Sequence, residues 1–257
     1  MEKQVYVSYF SPTGNTKRAA LMLGKALAKP AGITAEIDLS SPRLVKQEFA
    51  ADDILICAVP VFGGRIPAFT VHKIALLQGN GAQAIAIVAY GNRAYEDALL
   101  ELSDCLTQQG FTVTAAAAVL AEHSMLRSVA AGRPDRDDQQ QITTFASEIT
   151  AKLLNNDPQP VKAIPGNRPY KEWQPMPVTP AVSEKCNSCG KCASTCPTQA
   201  IPPDKPQTTA AEKCILCLRC TTVCPQQARS LPQQAKSMIS QKLDPIKSIR
   251  KENEFFC

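Results

Sequence analysis

No stretch of this sequence is apolar for long enough to cross a bilayer. Its longest apolar runs, such as residues 115–121, fall far short of the ~20 residues that a membrane-spanning helix needs. The opening residues, MEKQVYVSYF, also lack an apolar segment followed by a small-residue cleavage site. We therefore predict a cytoplasmic protein with no membrane span and no signal peptide.

The common nucleotide-binding signatures are missing as well. Neither GxxxxGKS/T nor GxGxxG occurs, which disfavours a nucleoside triphosphate site and a dedicated NAD(P) site. The chain contains a single tryptophan and no basic aromatic surface or reading motif of the kind that nucleic-acid-binding proteins carry. We expect no nucleic-acid partner.

Cysteine, in contrast, is present in a repeated spacing. Eight of the eleven cysteines form two runs of CxxCxxCxxxCP. In two-cluster ferredoxins, the fourth cysteine of each run ligates the cluster of the other run. We therefore predict two [4Fe-4S] clusters, one held by Cys186, Cys189, Cys192 and Cys224, and the other by Cys214, Cys217, Cys220 and Cys196.

Two zinc sites or a set of disulfides are the alternatives for these cysteines. Zinc sites usually pair one CxxC with a distant CxxC, and disulfides require an oxidising compartment, which nothing in the sequence indicates. Some neighbouring residues depart from the usual ferredoxin repeat: Gln199 and Gln227 stand where Gly is frequent, and Arg229 stands where Ile201 stands in the first run. These departures leave the ligands intact and bear on the surroundings that tune a cluster's potential.

Strand-like and helix-like segments alternate through the first 155 residues. This alternation predicts a parallel, doubly wound sheet, in which ligands bind beyond the carboxyl ends of the strands. The predicted strands cover residues 5–10, 33–39, 53–61, 84–90 and 112–120, and the predicted helices cover residues 16–29, 68–78, 94–109 and 137–154.

Three loops at that end of the sheet carry candidate binding residues. The first, SPTGNT at residues 11–16, offers hydroxyls, a glycine and a helix N-terminus, which together suit a phosphate, although an ordinary capped turn is the alternative. The second is PVFGGRIP, after the third strand, and the third is YGNRAYED, after the fourth.

These loops resemble those of flavodoxin-type FMN domains, and with the cysteine repeat the whole chain resembles the flavodoxin-ferredoxin fusion proteins of anaerobes. The resemblance implies a flavodoxin-like five-stranded parallel sheet in the order 2-1-3-4-5, followed by a small α+β bacterial-type 2[4Fe-4S] ferredoxin domain. It implies that the FMN phosphate is held by Ser11, Thr13, Gly14, Asn15 and Thr16. It places the isoalloxazine between two groups of residues, Pro60, Val61, Phe62 and Gly63 on one side and Gly91, Asn92, Arg93 and Tyr95 on the other. Packing roles for Phe62 and Tyr95, and a solvated Arg93, are the alternatives.

Composition divides the chain into four parts. We predict a flavodoxin-like domain at residues 1–155, a linker at 156–182, a ferredoxin domain at 183–231 and a tail at 232–257 that can form a helix. The linker contains seven prolines between Pro158 and Pro180, so it is expected to be stiff. Its Trp173 is interpreted as an anchor onto one domain.

The sequence thus predicts an electron-transfer iron-sulfur flavoprotein with FMN and two [4Fe-4S] clusters, acting as a carrier between redox partner proteins rather than through catalytic residues of its own. Residues 183–230 carry six Lys or Arg against three Asp or Glu, which favours an acidic partner. One alternative is an FMN-dependent, ferredoxin-linked oxidoreductase that reduces a small molecule or quinone. Another is a flavin-free scaffold that carries a ferredoxin.

Overall fold

The structure is a computed structural model that describes residues 4–28, 32–41, 43–154 and 159–257. The predicted end of the first helix at Lys29 and the predicted boundary between residues 155 and 156 lie outside these ranges. Within them, no helix is both long enough and apolar enough to cross a membrane.

A parallel sheet forms the centre of the N-terminal part. Its strands pair in the order β2-β1-β4-β6-β7, which is 2-1-3-4-5 when these five strands are counted along the chain, so the predicted flavodoxin-like order is confirmed. The inner strands are buried on both faces and therefore read as continuous apolar runs, as in ILICAVP of β4. The bounds are β1 Val5–Tyr9, β2 Ala35–Asp38, β3 Gln47–Glu48, β4 Ile54–Pro60, β5 Leu77–Gln78, β6 Gln83–Tyr90 and β7 Thr112–Leu120.

Helices cover both faces of the sheet. On one face, α1 (Asn15–Leu27) and α4 (Arg136–Leu154) bury an apolar cluster that includes Leu23 and Phe145. On the other face, α2 (Ala68–Ile74) and α3 (Ala98–Gln108) bury a second cluster. The apolar residues of these helices are three to four positions apart, as are Leu99, Leu102 and Leu106 of α3, so their side chains lie on one helix face.

Two helices are shorter than the sequence predicted. The helix predicted from residue 94 begins at Ala98, because Glu96 adopts a left-handed conformation with φ 46° that a helix cannot include. The helix predicted to reach residue 78 ends at Ile74. The chain then turns into β5, which pairs in parallel with β3 in a separate two-stranded ribbon.

The C-terminal part has short elements around the cysteine runs. Strand β8 (Ala181–Val182) pairs antiparallel with β9 (Arg229–Ser230). The helices are α5 Lys191–Ser194, α6 Arg219–Thr222 and α7 Gln233–Leu243, with 3-10 turns at Ala211–Lys213 and Asp244–Ile246.

The tail returns to the N-terminal sheet after α7. Strand β10 (Glu254–Phe256) pairs antiparallel with β7 and makes the sheet six-stranded. Phe255 packs on Phe145 with ring centroids 4.7 Å apart, and the backbone N–H of Leu120 donates to Asn253 Oδ1 at 2.8 Å. The sequence suggested a helix for the tail; the structure has a helix in its first half and this strand near its end.

A buried ion pair holds the tail to the loop after β7. Arg133 and Asp138 are 4% and 0% exposed at their side chains, and Arg133 Nε donates to Asp138 Oδ2 at 2.9 Å. The same guanidinium donates to the carbonyl of Lys251 at 2.6 Å, and Asp138 also accepts from the Asn253 amide at 2.8 Å. One buried cluster therefore connects the tail to the start of α4.

Candidate functional site

A cavity of about 420 Å³ lies at the carboxyl end of the sheet. This volume falls within the range of small-molecule and cofactor sites. Its walls come from five parts of the chain: the loop after β4, the loop after β7, the linker, the second cysteine run and α7. The lining residues are Val61, Phe62, Gly63, His123, Ser124, Met125, Trp173, Gln174, Pro175, Met176, Pro177, Ile215, Leu216, Met238 and Lys242.

The loop after β4 supplies part of the cavity wall, with three of its four predicted residues in the lining and Pro60 outside it. Pro60 ends the strand, and the backbones of Phe62 and Arg65 exchange two hydrogen bonds of 2.8 and 3.2 Å across a tight turn. Gly63 and Gly64 occupy the centre of this turn with φ of 62° and 91°, which glycine adopts without steric cost. Val61, Phe62 and Gly63 are thereby brought to the cavity together.

The linker closes over the same loop. The Trp173 indole lies so near Gly63 that a Cβ there would be 1.8 Å from Nε1, and its ring is edge-on to Phe62 at 6.4 Å. Arg65 helps to hold this segment, because it donates to the Lys171 carbonyl at 2.7 Å while pairing with both oxygens of Glu101. Trp173 therefore packs on the predicted flavin loop.

The loop at residues 11–16 has the geometry of an anion site. Gly14 precedes α1 with φ 99°, and a Cβ there would meet no atom within 4 Å. The N–H of Lys17 donates to Ser11 Oγ at 2.9 Å, whereas those of Thr13, Gly14, Asn15 and Thr16 have no hydrogen-bond acceptor within the described ranges. Free N–H groups at the start of a helix attract negative charge. These residues fit a phosphate.

Asn15 connects this loop to the cavity wall. Its side-chain amide donates to the carbonyl of Glu122 at 3.2 Å, and the next residue, His123, lines the cavity. The loop and the cavity are thus neighbours at the end of the sheet, as a phosphate site and a ring site of one ligand must be.

The loop after β6 contacts a cavity residue at one end and the tail farther along. Gly91 packs against His123, since a Cβ there would lie 2.4 Å from the imidazole Cδ2. Asn92, by contrast, donates to the carbonyls of Ile246 and Ile249 at 2.9 and 2.7 Å. Its Oδ1 is buried without a partner among the described residues.

Arg93 and Tyr95 also face away from the cavity. Arg93 pairs with Glu96 at 2.8 Å, and Tyr95 donates to Glu254 of β10 at 2.7 Å. None of the four predicted residues of this loop, Gly91, Asn92, Arg93 and Tyr95, is among the residues that line the cavity. Asn92, Tyr95 and the carbonyl of Arg93, which accepts from Lys251 Nζ, hold the tail against this loop, which the sequence did not indicate.

His123 is a cavity residue that the sequence prediction left out of the site. Its Nδ1 accepts from the backbone N–H groups of Met125 and Leu126 at 3.2 and 3.3 Å, so a neutral ring carries its proton on Nε2. Burial, and next the charge of Arg93, lower the pKa of His123 to about 4. The cavity wall thus includes a neutral imidazole that can donate one hydrogen bond.

We expect the His123 imidazole to stay neutral from pH 8 down to about pH 5, whereas an ordinary histidine titrates near 6.5. Between pH 6.5 and 4 the unfolded chain binds a proton at this residue that the folded chain does not bind. Folding stability therefore falls as the pH falls through this window. An NMR titration of the imidazole carbons tests this, with His123→Gln and the exposed His72→Gln assigning the signals. A His123 signal that titrates near pH 6.5 would contradict the expectation.

The eight cysteines of the repeat form two groups in space. One small cavity is lined by what we call the outer set: Cys186, Cys189, Cys192 and Cys224. A second is lined by what we call the inner set: Cys196, Cys214, Cys217 and Cys220. The structure thus brings the fourth cysteine of each run to the three cysteines of the other run.

The two runs adopt the same turn after their fourth cysteine. The N–H of Ala200 donates to Cys196 Sγ and that of Ala228 to Cys224 Sγ, both at 3.3 Å. Gln199 and Gln227 adopt left-handed conformations with φ of 53° and 49°. This geometry explains why Gly is frequent at that position in such repeats, since glycine adopts positive φ at no steric cost.

The inner set lies against the N-terminal domain. Cys217 and Ile215 pack on the core of the sheet, and Ile215 and Leu216 line the large cavity. Burial raises the pKa of Cys217 to about 12 and that of Cys220 to about 11. The outer set is farther from the N-terminal domain, and its Cys189 is exposed.

The two cysteine sets can be compared with the thiolates that bind an iron-sulfur cubane. Among the described residues, no three His, Cys, Asp or Glu side chains are grouped to hold a single ion. In an iron-sulfur cubane the thiolates bind different irons and therefore stand apart. Each cavity, with its four cysteines and an inward N–H···S bond, fits such a cluster.

Residues 185–228 match a family of 4Fe-4S dicluster domains. No curated protein matched the chain significantly. Solved structures similar to it include rubredoxin oxygen:oxidoreductase from the anaerobe Desulfovibrio gigas, at 16% identity and TM-score 0.44, over 59% of this chain and 36% of that protein. This chain therefore spans only about a third of that protein's length.

Two flavodoxins are also similar to the chain. The flavodoxin of Streptococcus pneumonia is 18% identical with TM-score 0.42, over 58% of this chain and 99% of that one. Flavodoxin 1 of Bacillus cereus is 15% identical with TM-score 0.42, over 58% and 98%. By its own strand order and the matched cysteine segment, this chain joins a flavodoxin-like domain to a 4Fe-4S dicluster domain.

Proposed function

We propose that this protein is an electron-transfer iron-sulfur flavoprotein that passes electrons between FMN, two [4Fe-4S] clusters and redox partner proteins. The observation that carries the proposal is the cavity at the sheet's carboxyl end, whose wall includes Ile215 and Leu216 from the second cysteine run. FMN supplies two-electron chemistry that it can release in single-electron steps, and each cluster supplies a one-electron site.

The chain offers distinct residues for the two ends of FMN. The unpaired N–H groups of Thr13, Gly14, Asn15 and Thr16 support phosphate binding. A ring site is supported by the cavity residues Val61, Phe62, Gly63 and His123, with Gly91 packed against His123. In this proposal the site is supported indirectly by residues that hold the tail in place: Asn92, Arg93 and Tyr95.

The position of the two cysteine sets suggests an order for the clusters. Ile215 and Leu216 stand between Cys214 and Cys217 in the chain and line the cavity, so the inner cluster would be the flavin's neighbour. The outer cluster would be nearer to solvent, because Cys189 is exposed and the exposed Lys185 and Lys191 flank its ligands. That basic surface favours an acidic partner protein.

The covering of the cavity favours a carrier over a reductase of small molecules. Trp173–Pro177 of the linker, Ile215 and Leu216, and Met238 of α7 all close over the loop at Val61–Gly63. A quinone or other small substrate would have to enter between these segments. Anaerobic reduction with NADH, NADPH and a low-potential ferredoxin, followed by quinone addition, separates the two functions: saturable turnover of a quinone would favour the reductase.

Anaerobically purified protein is expected to contain about eight irons and one FMN per chain. Thr13→Glu places a negative charge among the proposed phosphate ligands and should weaken FMN binding by roughly 100-fold, since like charges repel in a partly buried site. Riboflavin, which has no phosphate, should bind the variant and the wild type equally. Flavin fluorescence titration measures both affinities.

Thr143→Glu is the matched control, because Thr143 is exposed on α4. It should leave both affinities unchanged. A wild-type chain that binds riboflavin as tightly as FMN would contradict the phosphate site. A chain with eight irons but no affinity for any flavin would contradict the proposed function.

A further inference from the structure

Arg229 is a buried cation that has no carboxylate partner among the residues the structure describes. It is 3% exposed. Its guanidinium donates to Thr209 Oγ1 at 2.9 Å and to the carbonyls of Thr208 and Pro206. Its Nε is buried and has no hydrogen-bond partner in the described part of the chain. None of the ion pairs formed within the described ranges involves it.

Such a group needs a counter-anion. Arginine keeps its positive charge in proteins, and a buried charge is strongly destabilising unless an opposite charge compensates it. The carbonyls around Arg229 satisfy several N–H groups without supplying a full negative charge. The buried Arg133 shows the contrast, because it has Asp138 as its partner.

The cysteine ligands are candidates for this anion. Arg229 lines the outer cavity together with Cys186, Cys189, Cys192 and Cys224. It also lies within electrostatic reach of Cys214 and Cys220 of the inner set. Four thiolates give a bound [4Fe-4S] cluster a net negative charge, so a cluster in this cavity would be the missing partner.

The equivalent place in the other half of the repeat is apolar. Ile201 follows Cys196 by five residues, as Arg229 follows Cys224, and it lines the inner cavity. Both side chains are 3% exposed. At this position the two cluster sites therefore share one turn geometry and differ in the side chain, a cation in the outer cavity and a butyl group in the inner one. The inner cavity is also lined by Arg219, but that cation is paired with Asp38 at 3.8 Å.

We propose that Arg229 is the counter-cation of the outer cluster and sets its reduction potential above that of the inner cluster. Reduction adds one electron, and so one negative charge, to the cluster; a buried cation and an N–H donor both stabilise that charge. The electron comes from the flavin or from the partner protein, as in the proposed function on which this inference rests. Because the two reduction potentials would differ, a single electron would reside mainly on the outer cluster.

The test is an EPR-monitored redox titration of the holoprotein. Arg229→Ile copies the residue of the first run. It should reduce the equilibrium constant for one-electron reduction of the outer cluster at least tenfold, which corresponds to 59 mV, and bring the two potentials together. Arg229→Lys keeps the charge and should retain most of the difference. Lys185→Ile removes a solvated cation beside the same cluster and should change the equilibrium constant less than twofold.

Iron content separates the outcomes. If Arg229→Ile loses the outer cluster, the potentials of Arg229→Gln and Arg229→Lys test the inference instead. Both variants retain hydrogen-bond donors, and only the lysine keeps the charge. Wild-type potentials in Arg229→Gln, with about eight irons present, would overturn the inference and leave Arg229 a structural residue. A wild-type protein that does not contain two clusters would instead overturn the proposed function.

Discussion

Replacing Cys224 with Ala is expected to disrupt the same cluster as replacing Cys189 with Ala, although the two cysteines belong to different runs of the sequence. The structure places Cys224 in the outer set beside Cys189. Loss of one cluster of two would lower the iron content from about eight to about four per chain. EPR spectra of the reduced Cys224→Ala and Cys189→Ala proteins should retain the same remaining signal.

The inner set gives the reciprocal experiment. Cys196→Ala should retain the signal that Cys217→Ala retains, because both residues line the inner cavity. Cys105→Ala is the matched control, since Cys105 lies on α3 and lines neither cysteine cavity, so the iron content should stay unchanged. A Cys224→Ala protein with the spectrum of Cys217→Ala would show that each run ligates its own cluster.

Replacing Arg133 with Met should destabilise the fold more than any surface substitution. The change leaves Asp138, which is 0% exposed, without its cation, and removes the hydrogen bond to Lys251. Breaking a buried pair in this way costs about 3–5 kcal/mol. At about 2–4 °C per kcal/mol for a chain of this size, the melting temperature should fall by roughly 6–20 °C.

Arg250→Met is the control for that substitution. Arg250 pairs with Asp135 in the same region, but its side chain is 44% exposed. An exposed ion pair contributes about 1 kcal/mol or less. Fluorescence of Trp173, the single tryptophan, reports the unfolding of the linker from Gly63. Equal melting temperatures for the two variants would mean that the buried pair does not anchor the tail.

The parallel sheet was predictable because its strands carry local signals. A strand buried on both faces must be apolar throughout, so segments such as 54–60 are visible in the sequence itself. The cluster cysteines were predictable for a different reason. Their spacing is set by the cofactor's chemistry, and the rule that exchanges the fourth ligand predicts the two sets that the structure brings together.

The rest depends on contacts between distant segments. Nothing near Asn92 or Tyr95 in the sequence indicates that their partners are Ile246 and Glu254, more than 150 positions away. Strand β10 has three residues, too few to show an alternating pattern. Its place at the edge of the sheet comes from the antiparallel register with β7 and from the packing of Phe255 on Phe145.

The linker shows how composition can predict stiffness without predicting position. Its prolines indicate an extended segment, and Trp173 indicates an anchor. Which surface receives the anchor depends on Gly63, where the absence of a side chain leaves room for the indole. The sequence contains both residues, but the contact joins positions more than 100 residues apart.

Strand β10 has a consequence for how the chain is made. It follows the cysteine segment in the sequence, yet it completes the sheet that the first half of the chain begins. During synthesis the edge of β7 at residues 116–118, which β10 covers, therefore stays unpaired until the ribosome has released the whole cysteine segment, and an unpaired edge can pair with other chains. Strand β10 can pair with β7 only after all eight repeat cysteines have left the ribosome. The ligands of both clusters are therefore available before the sheet is complete.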